Sequence, residues 1–342
     1  MPVYNAEEYI AQAIESILTQ VFSDFEFIMI NDGSTDHSVE IIKTFKDPRI
    51  ILVENDKNEG IVYSLNKGLD RARGKYIARM DADDISLPHR LQRQVNFLQV
   101  HPEISVVGTG YLPIDECRNP TKPPIYRPEY PAVAKWFLLI GSPLAHPSVM
   151  YRKEIIQKIG GYSKDFPHAE DYELWTRLCQ VSKICSIHDI CLLYRDTGSE
   201  RISKKYFNQQ LKTTNQIRQL AYQRLFGEEL SISASECIQG TLEKETNGQI
   251  FDTCLLLYKA YKEIKSTGDF SSSEETLELT SITKLTIFQM AGRIKNPVLL
   301  SRIMFLLTDF SRKEFIKFLL QAYQNRLNNK FMSIFMKKSN YA

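Results

Sequence analysis

Between residues 6 and 107 the chain alternates two hydrophobic periods, and this alternation constrains its fold more than any other feature. Ile10, Ala13, Ile14, Ile17 and Leu18 recur at helical spacing. Phe25-Glu26-Phe27-Ile28-Met29-Ile30 follows as a short apolar run and ends in the turn signal Asn31-Asp32-Gly33-Ser34. The pattern then predicts a helix over 38–45, a strand over 49–54 and a helix over 62–72 with Gly74 as its C-cap. A strand over 76–80, a helix from Pro88 to Val100 and a strand over 104–107 complete it. Such alternation needs right-handed crossovers and predicts an α/β fold, a mostly parallel sheet with helices on both faces. Ligands of such sheets sit beyond the carboxyl ends of the strands. The polar clusters at Asn5, Asn31-Asp32 and Asp81–Asp84 all fall there, which predicts one site at one edge.

From about residue 207 the strand signals fade. Helical patterns appear at 207–226, 248–265 and 282–293, and Ser266–Glu275 reads as a polar linker. The expectation is two domains, 1–205 and 206–342, the second all-helical. With 342 residues, 43% hydrophobic and 25% charged, the chain can bury a core without staples. That excludes a disordered chain and a disulfide miniprotein. A net charge of +2 argues against bulk nucleic-acid binding. The charge is uneven, however: residues 311–342 hold seven basic groups and one acid, so the remainder is acidic. Aromatic and aliphatic residues interleave with these basic groups, a pattern suited to anionic lipid. The six cysteines lack CxxC spacing and read as reduced thiols of a cytosolic protein. No signal-peptide pattern opens the chain, and the apolar stretch 297–310 is too short and too polar to span a bilayer.

Four clusters carry the chemistry. Asp81-Ala82-Asp83-Asp84 puts three carboxylates within four residues. They repel one another unless a hard cation, Mg²⁺ or Mn²⁺, neutralises them; a helix-capping cluster is the plainer alternative. Asp32 after its strand could accept a hydrogen bond from a base or a ribose, or simply shape a strand-to-helix turn. Glu170 and Asp171 open a helix where the dipole favours carboxylates, either as caps or as a general base. His146 is a candidate metal ligand or substrate contact, with a structural role as its alternative.

Together these clusters resemble the family 2 glycosyltransferases, inverting enzymes of the GT-A fold. The matching elements are Pro2-Val3-Tyr4-Asn5, Asn31-Asp32-Gly33-Ser34-Thr35-Asp36, Asn58-Glu59-Gly60, Leu65-Asn66-Lys67-Gly68 and Asp81-Ala82-Asp83-Asp84. Pro88-His89-Arg90-Leu91, His146-Pro147-Ser148-Val149, Gly160-Gly161-Tyr162 and Glu170-Asp171-Tyr172-Glu173-Leu174-Trp175 continue the series in family order. The resemblance covers residues 1 to about 200 and nothing beyond 205.

It implies transfer of a single sugar from a nucleotide-diphosphate sugar, UDP being the expected nucleotide, to a hydroxyl. The acceptor would be a glycan or a lipid-linked molecule of polysaccharide biosynthesis. Pro2, Val3, Tyr4, Glu7, Asp32, Asn58, Asp81 and Ala82 would bind the nucleotide sugar. Asp83 and Asp84 would hold the divalent cation, and Asp171 would be the catalytic base. The implied place is the cytoplasm, or the inner face of the membrane through the basic tail. There are two departures. The family's first strand normally precedes the Pro-Val-Tyr-Asn element, so the central strand is expected to be truncated. The QxxRW element of processive synthases is missing, which implies a non-processive enzyme. A non-catalytic nucleotide-sugar-binding protein, inactive for want of that strand, is the alternative.

Overall fold

The computed structural model describes residues 1–196, 206–242, 244–267, 270 and 272–307. Contacts divide the chain into two units, Met1–Ala134 with Pro143–Thr213, and Lys135–Ser142 with the residues from Thr214 onward.

The first unit holds two sheets. Strands β1 (Pro2–Val3), β2 (Phe27–Asn31) and β3 (Ile50–Glu54) form a three-stranded, wholly parallel sheet in the order β1-β2-β3. The crossovers are α1 (Ile10–Leu18) and α2 (Ser38–Thr44). The helical spacing of Ile10, Ala13, Ile14 and Ile17 buries them in one cluster with Val3, Phe27, Met29, Ile42, Met80 and Ala82. Each of the isoleucines contributes roughly 1.5–3 kcal/mol by leaving water.

After α3 (Ile61–Arg71) come β4 (Tyr76–Ala78), β5 (Ile85–Ser86), α4 (Arg90–Val100) and β6 (Ile104–Ile114). Helix α5 (Pro131–Phe137) follows, then β7 (Met150–Arg152), α6 (Lys153–Lys158), α7 (Glu170–Leu178) and β8 (Lys183–Arg195). The second sheet has the order β4-β7-β6-β8-β5. Its β6–β8 pair is parallel, whereas β4–β7, β6–β7 and β5–β8 are antiparallel. The α/β class read from the sequence holds, and the parallel character is concentrated in the first sheet. Parallel neighbours need a long crossover, and the segment between β6 and β8 supplies one with α6 and α7.

One local expectation changes. Gly74 is not the C-cap of α3. The chain leaves the helix in extended geometry at Ala72, and the amides of Arg73 and Gly74 donate to the Glu26 carboxylate at 2.6 and 3.1 Å. β1 is two residues long, and the Met1 amine donates to the Ile28 carbonyl at 2.9 Å. A cavity of about 660 Å³ lies beside it, lined by Phe27, Ile28 and Ile30 of β2 and by Tyr76, Ala78 and Met80.

From Phe207 the described residues form helices: α8 (Phe207–Phe226), α9 (Ile232–Gln239), α10 (Asn247–Ser266), α11 (Ser273–Ala291) and α12 (Pro297–Leu307). Thr246 and Gln249 close a capping box at the start of α10. The expected linker is shorter than read, because the Ser272 hydroxyl accepts from the Glu275 amide at 3.2 Å and starts α11 inside it. Cys254, Leu257, Tyr261, Leu279, Ile287 and Met290 are buried in the second unit. Among the described residues no helix is long and apolar enough to cross a membrane. Residues 197–205, where the expected boundary falls, and the basic tail 311–342 lie outside the described residues.

Candidate functional site

The turns after β1 and β2 are knitted to each other. The Asn5 amide donates to Ser34 Oγ at 3.1 Å, and the Thr35 amide returns to Asn5 Oδ1 at 2.8 Å. The Glu7 amide donates to Asp36 Oδ2 at 3.0 Å, while the His37 amide donates to Glu7 Oε2 at 2.9 Å. Burial raises the Asp36 pKa, but hydrogen bonds from Ser38 and the Glu7 amide outweigh it and lower the pKa. Gly33 sits at φ +73, where an added Cβ would meet the Lys57 backbone at 2.6 Å, so the residue type is fixed by the close approach. Asp32 lies beneath, 4% exposed. Its Oδ1 accepts from Asn55 Nδ2 at 2.7 Å and from the Glu59 amide at 3.0 Å, and its Oδ2 from the Gly60 amide at 2.9 Å. Asp32 thus ties the loop leading into α3 to the end of β2.

The carboxylate loop lies beyond β4. Arg79 and Asp81 lie just past the end of β4. The Arg79 guanidinium grips Asp81 in a bidentate pair, both contacts at 2.7 Å. Asp81, Asp83 and Asp84 present carboxylate oxygens within 4.8 Å of one another. Asp84 is 1% exposed. Its Oδ1 accepts from the Arg195 amide at 2.9 Å, and its Oδ2 is buried without a hydrogen-bond partner. Burial first, then the charges of Asp83 and Asp81, push the Asp84 carboxyl well above its usual range. A hard divalent cation fits this donor set. It would coordinate oxygen, supply the missing partner of Asp84 Oδ2 and remove the repulsion.

Helix α7 carries the third cluster. Its N-cap is Ala169, which makes no side-chain cap, so Glu170 and Asp171 lie in the first turn rather than at the cap position. Asp171 is half-buried, whereas Glu170 is buried. Burial, then the charge of Asp171, pushes the Glu170 carboxyl up to about 7. His146 Nδ1 is 3.8 Å from Glu170 Oε1, and His146 Nε2 is 2.9 Å from the Tyr162 hydroxyl. Burial holds the His146 pKa well below its ordinary value, so the imidazole is neutral and the contact with Glu170 is not an ion pair.

These positions sort the residues expected from the sequence. Asp81, Asp83 and Asp84 come together. His146 stands with Glu170 and Tyr162 instead of with that acid cluster. The side chains of Val3 and Ala82 pack in the core, and the Val3 carbonyl accepts from the Asp32 amide at 2.8 Å. Pro2 is half-buried and Tyr4 exposed. Asn58 Oδ1 accepts from the Gly60 amide at 3.1 Å. Sequence reasoning missed Arg79 and Arg195. The i, i+2 spacing of Arg79 and Asp81 was a usable signal for the first of them.

The family model described as Glycosyl transferase family 2 matches residues 1–160. The O-antigen biosynthesis glycosyltransferase WbnJ of Escherichia coli is 34% identical over 203 residues, 57% of this chain and 77% of that protein. The chain belongs to glycosyl transferase family 2. A second family relative, the putative glycosyltransferase EpsE of Bacillus subtilis (strain 168), is 39% identical over 184 residues. That match covers 52% of this chain and 64% of EpsE. The fold is shared with the mannosyltransferase PcManGT from Pyrobaculum calidifontis, solved with GDP-Man and Mn²⁺. The TM-score is 0.51 at 16% identity, over 91% of this chain and 86% of that one. This family 2 chain is therefore an α/β protein of the glycosyltransferase type.

Proposed function

We propose that the chain transfers one sugar from a nucleotide-diphosphate sugar to a hydroxyl of a cell-envelope glycan or lipid-linked acceptor, with inversion and with a divalent cation. The observation that carries this reading is the acid cluster. Three carboxylates lie within 4.8 Å, and one buried oxygen lacks a partner. The O-antigen role in WbnJ's name supports the acceptor class, and the GDP-Man and Mn²⁺ bound to PcManGT support the donor class and the ion.

Each residue takes a role in this reading. Asp83 and Asp84 hold the ion, and Asp81 faces the nucleotide and ribose. A bound Mn²⁺ or Mg²⁺ stabilises charge on the departing diphosphate. Pro2, Tyr4, Glu7, Asp32 and Asn58, with the backbone of Val3 and Ala82, hold the nucleotide. Asp171 takes the proton of the acceptor hydroxyl while that oxygen attacks the anomeric carbon from the face opposite the diphosphate. The new C–O bond forms as the bond to the diphosphate oxygen breaks, and one displacement inverts the centre. His146, held by the Tyr162 hydroxyl, lies against Glu170 in the first turn of α7.

In this reading residues 1–205 form the catalytic domain and 206–342 a separate helical region. The basic tail gives the enzyme peripheral contact with the inner membrane face, and deleting 311–342 is expected to abolish liposome flotation. A donor panel, UDP-sugars first and GDP-sugars second, tests the reaction through released nucleoside diphosphate with and without Mn²⁺. Release from one donor, dependent on Mn²⁺ and lost in Asp171→Asn, is expected. Binding of a donor without release or transfer would favour the non-catalytic alternative.

A further inference from the structure

Arg195 ends β8 and is 1% exposed. Its guanidinium gathers three segments. Nε donates to the Asp83 carbonyl at 2.8 Å. One terminal nitrogen donates to the carbonyls of Asp115 and Glu116 at 3.3 and 3.0 Å, and the other to Gln12 Oε1 at 3.0 Å. The guanidinium carbon lies 4.5 Å from the centre of the Tyr9 ring. The backbone amide of the same residue donates to Asp84 Oδ1. A single residue therefore fixes the main chain of Asp83 and the side chain of Asp84. The next two loop positions are fixed by the same strand, because Ile85 and Ser86 pair with Leu193 and Leu192.

We propose that Arg195 is a positioning residue for the cation, a role that rests on reading Asp81–Asp84 as the cation site. With Oδ1 held by the amide, the Asp84 carboxylate cannot rotate freely, and its unpartnered Oδ2 keeps one direction. With its carbonyl held, the Asp83 peptide keeps one orientation, so both acids are arranged before an ion arrives. A planar fork with five donors can serve carbonyls from three segments at once, whereas a lysine ammonium offers three donors from a single atom. Preorganisation of this kind lowers the ordering cost of binding, and loss of an outer partner typically weakens a metal site about 10–100-fold.

The test is Mn²⁺ binding to the full chain, read from the loss of the free-ion electron paramagnetic resonance signal, with no donor present. Arg195→Lys keeps the charge and removes the fork. At least about tenfold weaker binding is expected, with an unchanged circular dichroism spectrum. A purely structural role predicts a lower melting temperature with Mn²⁺ affinity of the folded protein within twofold of wild type, and that result overturns the inference. Tyr9→Leu removes the ring beneath the guanidinium and decides the matter if Arg195→Lys does not fold. About threefold weaker binding supports the role, and unchanged binding overturns it. A wild-type chain that binds no Mn²⁺ overturns the cation reading and this inference together, whereas equal binding by wild type and variants overturns the inference alone.

Discussion

The turns after β1 and β2 and the loop after β4 hold comparable numbers of acids and treat them in opposite ways. In the first region each carboxylate is spent on nearby donors. Asp32 takes three of them, Asp36 accepts from Glu7 and Ser38, and Glu7 accepts from His37. In the second, three carboxylates crowd within 4.8 Å, and Asp84 Oδ2 is buried without a partner. Satisfied acids build architecture. Asp81 is paired with Arg79, but a buried carboxylate oxygen left without a partner, as in Asp84, costs stability, and a chain keeps one where a ligand repairs the deficit. In the proposed reading, the difference separates residues that would shape a nucleotide pocket from residues that would hold an ion.

Four variants break or sharpen that comparison. Asp171→Asn stands outside both regions and tests the chemistry they serve. Transfer is expected to fall about 10³-fold with donor binding intact, measured as turnover against nucleotide affinity. Asp32→Ala tests the satisfied region. It removes three hydrogen bonds and leaves the Glu59 amide without its acceptor, while Asn55 Nδ2 keeps Ser64 and the Gly60 amide keeps Asn58, so chemical denaturation should register a loss of about 2–3 kcal/mol, at roughly 1 kcal/mol per bond. Mn²⁺ affinity of the folded protein should stay unchanged.

Glu170→Gln extends the comparison to α7 through pH. Glu170 titrates near 7 in the fold against an ordinary 4.5, so the folded state holds its proton more tightly. The stability it contributes is present below 4.5 and lost as pH rises through 7. The glutamine variant should match wild type at low pH and exceed it by about 3 kcal/mol well above pH 7, read from urea unfolding across pH. The smallest expected effect is a gain of about 1 kcal/mol for Asp84→Asn without an ion, because it removes a buried carboxyl that Asp83 and Asp81 crowd.

Much of the fold was legible because its evidence is local. The isoleucines of α1 and the run into β2 carry their periods on their face. β6 was read as 104–107 but continues to Ile114, because Gly108 and Gly110 interrupt the apolar run. Those glycines answer to a neighbouring strand: a Cβ would come within 2.8 Å of Ser186 Oγ at the first and 2.7 Å of Ile190 Cδ1 at the second. No local pattern contains that information. The acid cluster was legible for the same reason that α1 was, since its members are adjacent. Its supports were not. Arg195 reaches Asp83 from 112 positions away, and His146 meets Glu170 only through tertiary folding.

The central claim is that Asp81, Asp83 and Asp84 are held in an unfavourable cluster that a divalent cation repairs. Thermal melting of wild type and Asp84→Asn, each with and without millimolar Mn²⁺, tests it most directly. The account predicts that Mn²⁺ raises the wild-type midpoint, and that Asp84→Asn melts higher than wild type without the ion and does not respond to it. A wild-type midpoint indifferent to Mn²⁺, or an Asp84→Asn protein that melts lower than wild type without the ion, would contradict it.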